Sequence, residues 1–419
     1  MWDTLLRSSL LSSVGNALSK SIFFSVSILL SHRLTVNEYA EYSLVYTLCI
    51  LLGTISAASF GIIITNLVSN RRISAVSLIN NRALICLFLS IFSSVVTMYF
   101  VDFIFLSNTF VFIVIVLASF LYSIESMMLG GLIGHLEFKV ILVGNIIKSF
   151  SFFILVFISG YYFDINIIIL LIIVYNLIGV IYFKPKIMAV SYNKHENREK
   201  KEIIAEVLPL VITGLLIPGF LWSLNYLIYD RNTAQDSSLF SVLIQINQIV
   251  LFLATSMTAP ILPIMNRYTS KIVDQINLII PTAIISVFTW VVYYFNIFSY
   301  IFGNNILNDQ NRHLVGFMLF SSIIMVFKNS LFRKNIQVGK LYLSLLNNVI
   351  WLIIMMTYLG VYGFGVKEVV TGFLIAHIIT CITSMILYTY FKVFEVESFI
   401  NQRMIFLSSF FFISWWILL

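Results

Sequence analysis

Residues 109–120 read TFVFIVIVLASF, an apolar run that lacks the alternation of apolar and polar residues of a transmembrane barrel strand. The run belongs to one of twelve apolar stretches, each of about twenty residues, that fill nearly the whole 419-residue chain. About 20 helical residues, rising 1.5 Å each, cross a hydrocarbon core about 30 Å thick. The sequence therefore predicts an all-α polytopic membrane protein. The predicted spans are 9–31, 40–66, 79–101, 108–133, 140–160, 163–183, 205–228, 237–262, 278–301, 313–333, 341–361 and 367–391.

Composition excludes a soluble protein. Apolar residues make up 60% of the chain and charged residues 10%, which is too little polar surface to cover a water-soluble body. The three cysteines, Cys49, Cys86 and Cys381, lie far apart inside predicted spans and form no CxxC motif. Neither a disulfide framework nor a zinc site is indicated, and no cofactor is expected.

The positive charges predict the topology. With a cytoplasmic N-terminus, 19 of the 25 Lys and Arg residues, Lys328 among them, lie in or beside cytoplasmic segments and 4 lie on the opposite side. Lys20 and Lys148 fall within spans. Because positive residues resist translocation, both ends of the twelve-span core are predicted to be cytoplasmic. A net charge of +7 distributed in this way does not indicate nucleic-acid binding.

The charge-rich stretch Lys184 to Glu202 follows the sixth predicted span and divides the chain into halves. We predict an N-terminal six-helix lobe at 1–183, a cytoplasmic linker at 184–204 and a C-terminal six-helix lobe at 205–391. A tail follows at 392–419. Its apolar segment of 16 residues is short for a span and is equally typical of an interfacial segment.

The two halves share sequence features. The segment from Arg33 to Glu38 (RLTVNE) matches that from Arg231 to Asp236 (RNTAQD), at an offset of 198 residues. In each segment we expect the arginine to pair with the acid. Gly160-x-Tyr162 and Gly360-x-Tyr362 match at an offset of 200 residues, and the two matches together indicate an internal duplication. Units with an even number of spans insert in the same orientation, so the lobes are predicted to be related by a pseudo-two-fold axis along the membrane normal. This is an arrangement of alternating-access transporters.

Three segments carry a family resemblance. Residues 34–66, LTVNEYAEYSLVYTLCILLGTISAASFGIIITN, are similar to the acidic-Tyr-Gly-x-Tyr loop and second span of bacterial polysaccharide flippases, with Ala40 in place of the usual glycine. Glu206-Val-Leu-Pro209-Leu resembles the start of the seventh span of that family. Gly363-Phe-Gly365-Val resembles its entry to the twelfth span.

The resemblance implies the multidrug/oligosaccharidyl-lipid/polysaccharide exporter (MOP) superfamily and, within it, the O-antigen (Wzx-type) or capsule-repeat flippases. It implies two six-helix lobes around a cationic cavity and an undecaprenyl-diphosphate-linked oligosaccharide as the molecule that is moved by alternating access. It further implies the bacterial inner membrane as location, ion-gradient coupling, and a polysaccharide polymerase and a chain-length regulator as partners.

Ionisable residues deep in a bilayer are costly, so each is expected to have a partner, a wet cavity or a function. Lys20 lies near the centre of the first span, where it either attracts a diphosphate or pairs with an acid. Glu125 and Lys148 lie at similar depth on consecutive antiparallel helices and are expected to form a salt bridge. In the alternative, Glu125 is a protonatable coupling site.

His377 lies near the middle of the last span. We expect it to hydrogen-bond a carbonyl, Ser or Asn, or else to titrate or contact sugar. Amides in the seventh and eighth spans either join helices or bind sugar hydroxyls, and the sequence leaves both open. They are Asn225, Gln245, Asn247 and Gln248.

Two other functions are considered. A drug exporter of the same superfamily would be expected to place acids among its spans, whereas spans one to six hold one central acid and two lysines. A membrane O-antigen polymerase or acyltransferase would be expected to have a long Arg-rich outer loop, or a His beside an acid or Asn, and the sequence has neither. We therefore expect a transporter and not an enzyme.

Overall fold

The computed structural model describes residues 61–69, 109–159, 165–191, 200–267, 271–302 and 306–393. It also describes residues 7, 8, 10–12, 14, 15, 25, 35, 48, 75, 76, 79, 88, 91, 92 and 95. Apart from short turns these residues are helical, and none of them is in a strand. Among them are 8 helical segments long and apolar enough to cross a membrane, which match the fourth to sixth and eighth to twelfth predicted spans. The protein is therefore an all-α multi-pass membrane protein.

The described residues from 109 onward form eleven helices, and a 3₁₀ turn, Asp309–Asn311, precedes the ninth. They are α1 (Thr109–His135), α2 (Phe138–Ser159), α3 (Ile165–Ser191), α4 (Lys200–Arg231), α5 (Ala234–Thr258), α6 (Ile261–Arg267), α7 (Lys271–Tyr294), α8 (Ile297–Phe302), α9 (Arg312–Gln337), α10 (Leu341–Tyr362) and α11 (Val366–Tyr390).

From residue 109 onward the chain divides into two compact units, with the boundary between Trp222 and Ser223 in α4. In the first unit, α3 packs against both α1 and α2. In the second, α9 packs against α5, α7 and α11, and α10 packs against α11. These units are defined by contacts between residues and do not test the lobe boundaries expected from the sequence, which stay predictions.

Local sequence sets where helices begin and end. A capping box starts α5, because the Thr233 hydroxyl accepts from the Asp236 N–H at 3.2 Å and the Asp236 carboxylate accepts from the Thr233 N–H at 3.4 Å. The expected pairing of Arg231 with Asp236 is therefore wrong, since this acid caps the helix. Gly363 ends α10 with φ 94°, which a residue without a Cβ adopts readily.

Two predicted span boundaries are also wrong. The ninth span, predicted at 278–301, is helix α7 over Lys271–Tyr294, because its first turn carries polar residues and the chain turns at Asn296 with φ 51°. Helix α8, which follows this turn, is also apolar, so hydropathy alone placed the end of the span beyond the turn. The sixth span, predicted to end at 183, continues as α3 through Pro185 to Ser191.

Helix α1 and the helical segment 61–69 approach each other at glycine positions. A Cβ on Gly130 would collide with the carbonyl oxygen of Gly61 and lie 2.8 Å from the Gly61 Cα. The Thr65 hydroxyl is 2.8 Å from the Gly130 carbonyl oxygen, to which it donates across the crossing. Small residues of this kind allow close helix packing inside a membrane.

Replacing Gly130 with Ala is expected to destabilise the protein by about 1–3 kcal/mol, because the added methyl group meets backbone that no rotamer change can move. The measurement is the apparent melting temperature of the purified protein in detergent. Gly360→Ala is the matched control. A Cβ at this helical position meets nothing within 4 Å, so its melting temperature should stay the same or rise. Equal stability of the two variants would contradict the close approach.

Candidate functional site

A buried ion pair lies in the first unit. Lys148 Nζ on α2 donates to Glu125 Oε1 on α1, and the two side chains are only 4% and 5% exposed. Both residues were expected to meet because they lie at similar depth on antiparallel neighbours. The contact itself is thus the one predicted, while the two roles considered for Glu125 stay open.

Helix α3 completes the surroundings of this pair. The Lys148 ammonium is 3.9 Å from the centre of the Tyr175 ring, within the range of a cation–π interaction. Gly179 leaves room for the carboxylate, because a Cβ there would lie 2.6 Å from Glu125 Cδ. An ammonium held by a carboxylate and an aromatic face is neutralised and closed to water, so Lys148 is poorly placed to contact a transported molecule.

The second unit holds a lysine of a different kind. Lys328 Nζ on α9 donates to Thr380 Oγ1 on α11 at 2.8 Å and lies 3.5 Å from His377 Nδ1. His377 is only 1% exposed, and its ring is packed between Trp351 and Phe373 at centroid distances of 5.4 and 4.4 Å. The expected carbonyl, Ser or Asn partner of His377 is therefore wrong, because an ammonium occupies that position.

Lys328 lies further inside its helix than the bounds of the predicted span implied. The sequence counted it with the cytoplasmic flanks because the predicted span ended at 333. Helix α9 continues to Gln337, which places Lys328 nine residues, or about 14 Å, from the helix end. Lys328 could have been identified from the sequence by the same criterion as Lys20 and Lys148, because it lies well inside a predicted span.

A third cluster surrounds Arg333, 5 residues further along α9. Its guanidinium donates to Asn277 Oδ1 on α7 at 2.7 Å, to Thr258 Oγ1 at the end of α5 at 3.1 Å and to Ser330 Oγ at 2.7 Å. All three acceptors are neutral. The guanidinium thus joins three helices of the second unit through hydrogen bonds alone.

The neighbouring positions of α9 extend this connection. Lys334 Nζ forms a salt bridge of 2.8 Å with Asp274 in the first turn of α7. Gln337 donates to the Met265 carbonyl oxygen on the short helix α6. Arg333 and Gln337, one turn apart, therefore hold the chain on both sides of the break between α5 and α6.

Two of the four amides predicted as sugar ligands join helices. Asn225 on α4 is 3.3 Å from the Ser241 hydroxyl on α5. Asn247 on α5 donates to the Ser322 hydroxyl on α9 at 2.9 Å. Gln245 is buried and Gln248 is half-buried on the same helix. Lys20, the remaining predicted cavity residue, lies outside the described residues.

The two units differ in whether the positive charges at Lys148, Lys328 and Arg333 have acidic partners. In the first unit, Lys148 is balanced by Glu125. In the described part of the second unit, neither Lys328 nor Arg333 has an acidic partner, since all of their hydrogen-bond partners are neutral. At Lys328 and Arg333, helix α9 therefore has positive charges that favour a nearby anion.

No protein-family model matches this sequence, and no curated protein matches it either. Solved structures do match. An outward-facing multidrug-resistance transporter of the MATE family and MOP superfamily superposes with a TM-score of 0.69 at 12% identity, over 93% of this chain and 95% of that one.

Two further structures are similar. A MOP-superfamily transporter from Pyrococcus furiosus, described as having a binding pocket of reversed polarity, has a TM-score of 0.66 at 14% identity, over 93% of this chain and 95% of that one. The MATE transporter ClbM, in complex with Rb⁺, has a TM-score of 0.63 at 16% identity, over 92% and 94%. The chain therefore has the fold of MOP-superfamily transporters, which have twelve membrane helices in two lobes, and the predicted fold class is confirmed.

Proposed function

We propose that the protein is a flippase that moves an undecaprenyl-diphosphate-linked oligosaccharide, an O-antigen or capsule repeat unit, across the bacterial inner membrane by alternating access. Coupling to an ion gradient, a cytoplasmic N-terminus, and cooperation with a polysaccharide polymerase and a chain-length regulator belong to the same proposal. The fold supports transport as the class of activity, and the family resemblance of residues 34–66 supports the polysaccharide branch.

The observation that carries the proposal is the charge of α9. Lys328 and Arg333 present an ammonium and a guanidinium whose described partners are all neutral. A cationic drug would be repelled by such a helix, whereas a diphosphate is attracted by it. The net charge of these two residues thus favours an anionic head group over a cation.

Export of drugs or other small molecules is the alternative within the same fold. It is favoured by the similarity to multidrug transporters of the MATE family, which is at least as compatible with this chain as the oligosaccharide proposal. The two functions differ in the charge of the molecule they move, so a single pair of assays separates them.

The test is complementation of a strain that lacks its own flippase and therefore has no surface polysaccharide. The unmodified protein should restore the polysaccharide without increasing efflux of a cationic dye such as ethidium. Increased dye efflux without polysaccharide would replace the proposal by the drug-export alternative. Because sugar specificity differs between flippases, the strain should be the natural host with its own gene deleted.

Lys20 provides a variant within this assay. An ammonium near the middle of the first span is tolerated where its surroundings are wet or anionic. We expect Lys20→Ala to abolish surface polysaccharide at normal membrane abundance, and Lys20→Arg to retain part of the function. Normal polysaccharide with Lys20→Ala would remove this residue from the site. Loss of the protein from the membrane would instead assign it a structural role.

A further inference from the structure

We propose that Lys328, Thr380 and His377 form an anion-binding subsite in the second unit, and that His377 takes up a proton when a phosphate group binds beside Lys328. The ligand class is the diphosphate of an isoprenyl lipid. The choice of ligand rests on the proposed function. The new elements are the residues that bind the diphosphate and the proton that binds together with it.

The hydrogen bonds around Lys328 leave one of its N–H groups available to donate to an anion. An ammonium has three N–H groups, and here one is directed to Thr380 Oγ1 and a second towards His377 Nδ1. Thr380 in turn donates its own hydrogen to the Ala376 carbonyl oxygen at 2.7 Å, so its hydroxyl oxygen is fixed as an acceptor. The lysine is half-buried, and its third N–H has no partner among the described residues. An oxygen of a phosphate group is the acceptor that matches this donor.

The same geometry determines which nitrogen of His377 can be protonated. Nδ1 faces the ammonium and is the acceptor, so the neutral imidazole carries its hydrogen on Nε2. Nε2 is buried and has no hydrogen-bond partner within the described part of the chain. A second proton would therefore bind to Nδ1, 3.5 Å from a positive charge. Burial of the ring disfavours the charged imidazolium, and the nearby Lys328 ammonium adds to that penalty while no anion is bound.

An anion beside Lys328 changes this balance. Its negative charge offsets the repulsion between the ammonium and an imidazolium, and the new Nδ1–H becomes a second donor to the anion. Because linkage is reciprocal, an anion that favours protonation of His377 must itself bind more tightly when His377 is protonated. Anion and proton are thus expected to bind together.

Other groups around His377 do not supply this charge. Helix α10 presents Trp351 and, against Gly372, the Tyr358 ring. On α11 itself the neighbouring titratable side chain is Cys381, one turn further along, and α5 has its one charged residue, Asp236, in its first turn. In the described residues that pack against His377, Lys328 is therefore the charged group that controls its protonation.

Isothermal titration calorimetry on the purified full-length protein in detergent tests the inference. The probe is geranyl diphosphate at pH 7.5, titrated in Tris and in HEPES, whose ionisation enthalpies differ, so that the number of protons taken up can be calculated. Wild-type protein should take up a measurable fraction of one proton per bound probe. His377→Gln should bind the probe with less proton uptake than the wild type, because the share taken up by the imidazole is lost, and equal uptake by the two proteins would overturn the role of His377.

Lys328→Met should weaken binding of the probe by about tenfold or more, because a charged hydrogen-bond donor is lost. Lys328→Arg keeps the charge and should bind within about threefold of the wild type, which separates loss of charge from loss of fold. Geraniol, the uncharged alcohol, should not bind measurably. Inorganic pyrophosphate should bind more weakly than geranyl diphosphate, and equal affinity would overturn the assignment to a lipid diphosphate.

The outcomes distinguish this inference from the proposed function. Binding without proton uptake in wild-type protein would overturn the linkage and leave the flippase proposal standing. Unchanged affinity in Lys328→Met would overturn the subsite even if complementation succeeds. Failure of the complementation assay with intact, proton-linked binding would instead overturn the proposed function and leave the subsite as an anion site of another transporter.

Discussion

Replacing Glu125 with Gln, or Lys148 with Met, is expected to destabilise the protein more than replacing both residues together. Each single change leaves a charge in a nearly water-free environment, where loss of one member of a buried pair costs about 3–5 kcal/mol. The double variant leaves no charge behind. Because Lys148 also contacts the Tyr175 ring, the methionine in the double variant keeps an apolar contact there.

The measurement is a double-mutant cycle of thermal stability and purified yield in detergent. A control of the same type is the Lys334–Asp274 pair, whose side chains are 15% and 21% exposed. Because those side chains are more exposed than Lys148 and Glu125, Asp274→Asn should destabilise the protein less than Glu125→Gln or Lys148→Met does. Strict additivity of the Glu125 and Lys148 changes would show that these residues do not interact.

The same variants decide between the two roles of Glu125. A stable Glu125→Gln protein that no longer restores surface polysaccharide would support the coupling-site hypothesis. An unstable one supports a purely structural salt bridge. The close contact between Gly179 and the Glu125 carboxylate makes Gly179→Ala an independent disturbance of the same pair, since the added methyl group displaces Glu125 and leaves both charges in place.

Much of the fold was predictable because membrane spans are set by local hydropathy. The run at 109–120 lies in α1, and the nine predicted spans from the fourth to the twelfth each correspond to a helix. Boundaries failed where a polar turn belongs to the helix, as in the first turn of α7, or where an apolar segment continues beyond a turn, as at Asn296. The segment RNTAQD belongs to a sequence repeat, and its Thr-x-x-Asp pattern also predicts the capping box that begins α5.

The candidate site was less predictable. The contact between Glu125 and Lys148 was predictable, because residues at similar membrane depth on consecutive antiparallel helices can meet. Arg333 could not be placed in this way, since it meets Thr258 and Asn277, which lie 75 and 56 residues away in sequence. Contacts between helices so distant in the chain depend on packing, which hydropathy does not encode.

Lys328→Met is expected to reduce transport much more than folding, whereas Arg333→Met is expected to act mainly by reducing folding. Arg333→Met removes three hydrogen bonds, each worth about 1.5–3 kcal/mol for a charged donor, and two of them join α9 to α5 and α7. It should therefore sharply reduce the amount of folded protein. Lys328→Met removes one short bond to Thr380, whose hydroxyl stays bonded to Ala376. It should therefore fold, and lose most of the transport.

The measurements are membrane abundance, melting temperature in detergent and surface polysaccharide in the complemented strain. Lys328→Arg is the matched control, because it keeps a positive charge beside Thr380 and should restore part of the polysaccharide. Full transport by Lys328→Met would contradict a role for this ammonium in attracting the anionic head group. The charge argument for the flippase would then rest on Arg333, whose guanidinium is already occupied by three neutral acceptors and is a much weaker attractant for a diphosphate.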